Sequence, residues 1–442
     1  MIQLSDHFDT RRLLRFTLPS IVMMVFTSIY SIVDGFFVSN FVGKTPFAAV
    51  NFIMPVLMIL GCTGFMFGTG GSALIAKTLG EDKPEKAHEL FTLIIVSTAV
   101  LGAVLGVLGF VFIRPLAILL GAEGEMVEHC VLYARIILIA QPFFMLQYAF
   151  QCLASTAGRP KLGLYVTVAA GVTNMVLDAV FVGLFSWGLA GAAIATAISQ
   201  FIGGFAPILY FVSKKNRSSL RFGKLRFDGA ALLKTCTNGS SELMSNISMS
   251  VVGMLYNMQL IRYAGENGIA AYGVLMYVSM IFQAIFIGYA VGTAPIVGYH
   301  FGAANRSELH SILKKSLAII AVNAVLMFAA GELLARPLSL LFVSYDTELL
   351  AMTEHAFAIF SFSFLLSGFS IFGSSYFTAL NDGLTSALIS FLRTLVFQVL
   401  AVLLFPIFWE LDGVWFSIVA AEIMALVTTA LFLIGKRKKY GY

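Results

Sequence analysis

The sequence predicts an all-α integral membrane protein, with twelve transmembrane helices arranged as two parallel six-helix lobes. Three observations carry that expectation. The 442 residues are 59% hydrophobic and only 12% charged, with a mean hydropathy of +0.90, whereas a soluble chain carries about 25% charged residues. Apolar runs of about 20 residues or more, the length that crosses a bilayer core, recur along almost the whole chain and leave no segment for a soluble domain. The chain also repeats itself at a fixed displacement.

Taken in order, the apolar runs place helices at roughly 14–39, 47–76, 88–113, 126–150, 161–185 and 190–212, then at roughly 236–262, 269–299, 312–335, 350–378, 384–408 and 413–435. Arg11, Arg12 and Arg15 precede a first run of about 25 residues, too long for a signal-peptide core, so this helix is expected to stay as an anchor. If the N-terminus is cytoplasmic, the same side collects Lys77, Lys83, Lys86, Arg159, Lys161, the basic stretch from Lys214 to Lys234, Arg306, Lys314, Lys315 and the closing KRKK. The other side keeps Lys44, Arg114, Arg262 and Arg336. This asymmetry predicts that both termini are cytoplasmic. The net charge of +5 then reports topology and calls for no nucleic-acid partner.

FVGKTPFAAV from Phe41 lies over YAGENGIAAY from Tyr263, RPLAILL from Arg114 over RPLSLLF from Arg336, and WGLAG from Trp187 over WELDG from Trp409, each displaced by 222 positions. Three blocks in one register predict two copies of a six-helix unit. An even number of passes makes the copies parallel. The expected division is a lobe over 1–212, a cytoplasmic linker over 213–234 and a second lobe over 235–442. Two parallel lobes meeting across a membrane suit a central cavity that opens to alternate sides, which favours a carrier over an anchor, an enzyme or a simple channel.

An ionised side chain near the bilayer centre costs at least about 2.5–3.5 kcal/mol, so each needs a partner, a cavity or a role. Asp34 and Asp178 fall at a similar depth in the first and fifth spans, about 24–30 Å from the cytoplasmic edge at 1.5 Å per residue. Tyr30 stands one turn from Asp34 and Asn174 one turn from Asp178. Such a set could hold a proton, or a sodium ion at Asp34, Asp178 and Asn174. The structural alternatives are a solvated helix end for Asp34 and a static pair with Arg135 for Asp178. Arg393 and Glu422 match in depth in the last two spans, as a structural ion pair would. Glu242, in GSSELMSN, is either a second protonatable site or a helix N-terminal charge favoured by the macrodipole.

The four cysteines, Cys62, Cys130, Cys152 and Cys236, show no metal-binding spacing, and His129, His300 and His355 lie toward helix ends, where solvated histidines are expected. Gly64, Gly68, Gly70 and Gly71 lie inside an apolar span without the Lys-Ser/Thr of a phosphate loop, which argues against an ATP-driven pump. The 41 Phe and 18 Met, Met254 and Met258 among them, could line an adaptable apolar cavity, although most should face lipid or neighbouring helices.

IVDGFFVSNFVG around Asp34, GTGGSALIAKTLGEDKPEKA from Gly68, NMVLDAVFV around Asp178, WGLAGAAIATAISQ from Trp187 and GTAPIVGYHFGAAN from Gly292 resemble, in order and over nearly the entire chain, the multidrug and toxic compound extrusion (MATE) family. GSSELMSNISMSVVGMLYNMQLIRYAGENGIAAYGV from Gly239 is similar to its bacterial MepA-type branch, whose members export cationic dyes and biocides. The resemblance implies a multi-pass antiporter of the bacterial cytoplasmic membrane, not an enzyme, working as a monomer among membrane lipids. Its substrates would be cationic or amphipathic drugs, with a proton or sodium as coupling ion and no further cofactor. It also implies that Asp34, Asn174 and Asp178 bind the coupling ion, with Glu242 as a seventh-helix acid. The competing expectations are a lipid-linked precursor flippase or metabolite exporter of the same superfamily and, from other classes, a channel or membrane-embedded enzyme.

Overall fold

A computed structural model describes residues 2–344 and 346–442. The helices in chain order are α1 (Thr10–Phe41), α2 (Lys44–Gly80), α3 (Pro84–Leu119), α4 (Glu125–Ile139), α5 (Gln141–Thr156), α6 (Pro160–Asp178), α7 (Gly188–Val212), α8 (Gly229–Gly302), α9 (Arg306–Val343), α10 (Thr347–Phe360), α11 (Phe364–Ala379), α12 (Gly383–Phe391) and α13 (Phe397–Tyr440). A π-helical segment, Ala179–Leu184, extends α6, another, Leu392–Val396, joins α12 to α13, and a 3₁₀ turn, Ser361–Ser363, joins α10 to α11. Among the described residues there is no strand, and nine helices are long and apolar enough to cross a membrane, ten if the bent α4–α5 pair makes one span.

Local chemistry sets the helix ends. Asp9 caps α1 by accepting from the Arg12 amide at 2.7 Å, and Asn305 caps α9 by accepting from the Glu308 amide at 3.1 Å. Pro84 and Pro160 open α3 and α6, where a missing N–H costs nothing. Two ends differ from the sequence expectation. The fourth span bends by 60° between α4 and α5, because Pro142 at the start of α5 lacks the N–H that would continue the ladder. The linker yields to helix already at Gly229, because Asp228 accepts from the Ala231 amide at 3.0 Å and caps α8 there.

The internal repeat is visible in backbone conformation. Gly43 and Gly265, Asp82 and Ala304, and Gly188 and Glu410 all have positive φ, and each pair has the spacing of 222 found in the sequence blocks. The breaks at Gly265 in α8 and at Trp409–Glu410 in α13 are therefore the counterparts of the turns at Gly43 and Gly188.

The two halves approach one another closely, backbone against backbone, at the end of the bundle that carries both termini. A Cβ on Gly80 would lie 1.9 Å from the Tyr299 carbonyl oxygen, and one on Gly302 would lie 2.0 Å from that of Lys77. Gly80 and Gly302 are equivalent in the repeat, as are Lys77 and Tyr299, so one contact is made twice about a pseudo-twofold axis. Gly70 packs on Gly239 and Gly292 on Thr17 in the same reciprocal fashion. Small residues let helix backbones approach this closely, which explains the glycines of α2: Gly70 meets α8, while Gly64 and Gly68 meet the backbone of α5 at Met145 and Ala149.

At the same end, residues 2–9 leave α1 and lie on the second half. Phe8 is fully buried in a cluster with Ile296, Leu309, Ile312 and Tyr442. Its amide donates to Glu308 Oε1 at 2.8 Å, its carbonyl accepts from Lys315 Nζ at 2.6 Å, and His7 Nδ1 sits 2.7 Å from Glu308 Oε2.

Asp382, the cap of α12, accepts from Lys436 Nζ and from the Tyr440 hydroxyl, each at 2.7 Å. Burial alone would raise its pKa, but hydrogen bonds from Lys436, Tyr440 and Thr385 outweigh that effect and hold it down at about 2. A depressed carboxyl stabilises the fold above its unfolded pKa and loses that contribution as pH falls through the folded one. Asp382→Asn is therefore expected to lower stability in detergent by about 1–2 kcal/mol near neutral pH. Thermal unfolding should show the gap to wild type closing between about pH 4 and pH 2; a gap independent of pH would rule this account out.

Candidate functional site

Two sites in the interior bring together the charged residues singled out in the sequence. The first lies wholly within the first half. Asp178, fully buried at the end of α6, and Asp34, partly buried in α1, face one another. Asn174, one turn back on α6, donates through Nδ2 to Thr196 Oγ1 of α7 at 3.3 Å. Both Asp178 oxygens, Asp34 Oδ1 and Asn174 Oδ1 are buried without a hydrogen-bond partner within the protein. Four orphaned acceptors in one place form an electron-rich nest that a proton or a hard cation would satisfy. Among the described residues there is no group of three or more His, Cys, Asp or Glu that could hold a metal ion. Whatever fills the nest meets two carboxylates plus amide and hydroxyl oxygens.

Arg135 does not pair with Asp178. Its Nε donates to the Phe110 carbonyl at 3.3 Å and its guanidinium lies over the Phe110 ring. The π-helical segment begins immediately after Asp178. Such bulges widen a helix and free backbone groups, and they are frequent at functional sites.

Sequence reasoning missed three members of this group. Thr196 on α7 and the buried Tyr133 on α4 both stand against the acid pair, and Gln147 on α5 stands against Tyr30. The available signal was polarity alone: each is a hydrogen-bonding side chain in an otherwise apolar helix, with no charge to draw attention. Tyr30 stands near Asp34, Gln147 and Tyr148, and Tyr148 lines the second site.

The second site is a cavity of about 350 Å³ between the halves. The first half supplies Met24, Phe65, Tyr148, Cys62 and Cys152, and the second supplies Glu242, Met249, Met280, Ser390 and Arg393. Arg393 and Glu422 meet as a buried pair, with Nη2 to Oε1 at 2.8 Å and Nε reaching both carboxylate oxygens at 3.0 and 3.1 Å. Glu242 makes no side-chain hydrogen bond or ion pair among the described residues and faces Cys62 and Cys152 across the cavity. Of the two charged residues lining the cavity, one is neutralised by its neighbour and the other is a free carboxylate.

The family model MatE matches residues 19–180 and 243–403, one stretch in each half. The chain belongs to the MatE family. Members are membrane transporters, so this MatE chain is a transporter rather than an enzyme, a multi-pass protein of a bacterial membrane, and the resemblance read from the sequence holds. It is 24% identical over 425 residues to the multidrug export protein MepA of Staphylococcus saprophyticus, covering 94% of this chain and 91% of that one. It is 25% identical over 413 residues to the protein of the same name in Staphylococcus haemolyticus, covering 93% and 90%. Its fold matches, with a TM-score of 0.92 and 24% identity over 98% of this chain and 97% of the other, a multidrug resistance MATE transporter of the MOP superfamily in an outward-facing conformation. A MOP superfamily transporter from Pyrococcus furiosus, described by the reverse polarity of its binding pocket, matches with a TM-score of 0.90 and 24% identity over 99% of this chain and 98% of that one.

Proposed function

We propose that this MatE chain is a secondary active multidrug exporter that moves organic cations out of the cell in exchange for protons or sodium ions. The observation that carries the proposal is the pairing of an ion-sized nest of orphaned carboxylate and amide oxygens, at Asp34, Asn174 and Asp178, with a separate cavity whose free charge is the Glu242 carboxylate. The export reading draws on the MepA relatives, which are multidrug export proteins.

A helix of 74 residues would be about 110 Å long, more than three times a bilayer core. The breaks at Gly265 and at Trp409–Glu410 then divide α8 and α13 into two passes each, which gives twelve passes in two lobes with 213–228 between them. Both termini sit on the cytoplasmic side, where the basic residues collect. The backbone contacts at Gly80 and Gly302 then close that side, and the cavity faces outward.

The cycle runs as follows. In the outward-open state a cation enters the nest from outside, and Tyr30, Gln147 and Tyr148 carry the change in charge and hydrogen bonding to the cavity wall, where bound drug is released. The loaded halves then rock so that the contacts at Gly80 and Gly302 part and the ion leaves to the cytoplasm. Exchange of one monovalent drug for one monovalent ion moves no net charge, so a membrane potential of 100 mV, worth about 2.3 kcal/mol per elementary charge, would add nothing to a one-for-one cycle.

The deciding experiment is ethidium efflux from proteoliposomes with proton and sodium gradients imposed separately. Efflux driven by one of them names the coupling ion; efflux driven by neither removes the antiport reading. Glu242→Gln keeps the shape and removes the cavity's free charge, so efflux of monovalent dyes should fall about tenfold, the value of one charge-assisted contact. Efflux within twofold of wild type would place the cation's partner elsewhere.

A further inference from the structure

Arg393 does more than satisfy Glu422: we propose that the pair forms a recognition site for a carboxylate or other strong hydrogen-bond acceptor on the transported molecule, so that zwitterions are held between Arg393 and Glu242. The proposal rests on the export reading above and specifies its substrate class.

The geometry of the pair leaves donors over. Glu422, 4% exposed, takes Nε and Nη2 of the guanidinium, while Nη1 makes no hydrogen bond among the described residues and Arg393 lines the cavity. A guanidinium has five N–H groups. A carboxylate that occupies one edge fixes its plane and turns the remaining N–H groups as a preset fork, the arrangement that suits bidentate recognition of a second carboxylate.

The hydroxyls of Thr378, Ser374, Ser390 and Thr394 on the same wall cannot take this part. Thr378 donates to the Asn238 carbonyl at 3.2 Å, so in its 2.7 Å bond with Ser386 the serine is the donor. The same logic makes Ser374 donate to Ser386 at 2.9 Å and Ser390 to Ser374 at 2.8 Å. Thr394 donates to the Ser390 carbonyl at 2.7 Å. The hydrogens of these four hydroxyls are committed within the protein and their lone pairs repel an anion; the Ser370 hydroxyl is unpaired but buried, and Arg393 is the cationic donor this wall offers. Its position inside the π-helical segment Leu392–Val396 fits that use. The Met and aromatic side chains supplied by the first half cover the apolar body of the ligand.

The test compares two dyes with one ring system. Rhodamine B carries a cationic xanthene and a free carboxylate, and its ethyl ester is a simple cation. Efflux of both is measured in wild type, in Arg393→Gln, and in the double variant Arg393→Gln/Glu422→Gln, which leaves no uncompensated buried charge. The acid-to-ester ratio of efflux rates is expected to fall at least tenfold in the double variant, with ester efflux still measurable. An unchanged ratio overturns the proposal. Loss of both dyes from a variant that remains correctly inserted assigns the pair a structural role and also overturns it. If wild type exports the ester but not the acid, the acceptor site is wrong and export of cations stands; if it exports neither, the export reading itself fails.

Discussion

Efflux driven by an ion gradient should fall by two orders of magnitude or more in Asp178→Asn, and by a similar factor in Asp34→Asn, while equilibrium binding of dye in detergent stays within a fewfold of wild type. Each substitution keeps the volume and one acceptor oxygen but removes the group that can take up a proton or balance a sodium ion. Four orphaned acceptors facing one another are costly unless something positive sits among them, and in the proposed cycle binding that positive species is what the gradient acts on. An amide contributes its own N–H donors, so the variants satisfy the nest permanently and uncouple it. Stability should rise slightly rather than fall, because an unfavourable buried carboxylate has been removed. Thermal unfolding in detergent measures this, and a variant that melts earlier and also fails to bind dye would make the nest structural. If both variants retained gradient-driven efflux at normal expression, the first half would hold no coupling site.

Gly80→Val and Gly302→Val should each reduce export about tenfold or more, through the contact where the halves meet. A Cβ at either position falls within about 2 Å of a carbonyl oxygen of the opposite half, and relieving such an overlap by backbone movement costs roughly 1–3 kcal/mol. Against a conformational difference of a few kcal/mol, that moves the population by about tenfold or more toward states in which this end is parted. The cavity carries its own reporters, Cys62 and Cys152. In a Cys236→Ser background, a membrane-impermeant maleimide applied from the side of the termini should label them faster in either valine variant than in wild type. Gly435, with nothing within 4 Å of an added Cβ, is the control: Gly435→Val should label like wild type. Unchanged labelling in Gly80→Val would mean that the close approach does not gate access.

What the sequence made legible follows from which interactions leave a residue-level mark. Charge in an apolar helix is conspicuous, so Asp34, Asp178, Glu242, Arg393 and Glu422 could be singled out. Depth counted along the helices was enough to match Asp34 with Asp178 and Arg393 with Glu422, pairs that the structure brings together. Thr196, Tyr133 and Gln147 left no such mark, since a hydroxyl or amide in a membrane helix bonds as readily to its own backbone as to a site. The displacement of 222 reappears in the positive-φ residues, because a turn that reverses a helix demands a particular backbone conformation whatever the side chains. The bend at Ala140 needed Pro142 to be weighed against an apolar run that continues across it. The glycines of α2 were readable as too poor for a phosphate loop, but their partners belong to a different part of the chain.

The segment from Ile2 to Asp9 bears on how such a molecule can move. It belongs to the chain of the first half, yet Phe8 is seated in the core of the second, with its amide and carbonyl both bound there. The halves are thereby joined at the same end twice, once by the covalent linker and once by this strap. Two bodies connected at one point can swivel about any axis; a second attachment leaves them a single line to turn about. A parting of the halves at the terminal end then resembles the opening of a hinged lid more than the spreading of two free jaws, and its width is limited by the few residues between Phe8 and the first turns of α1.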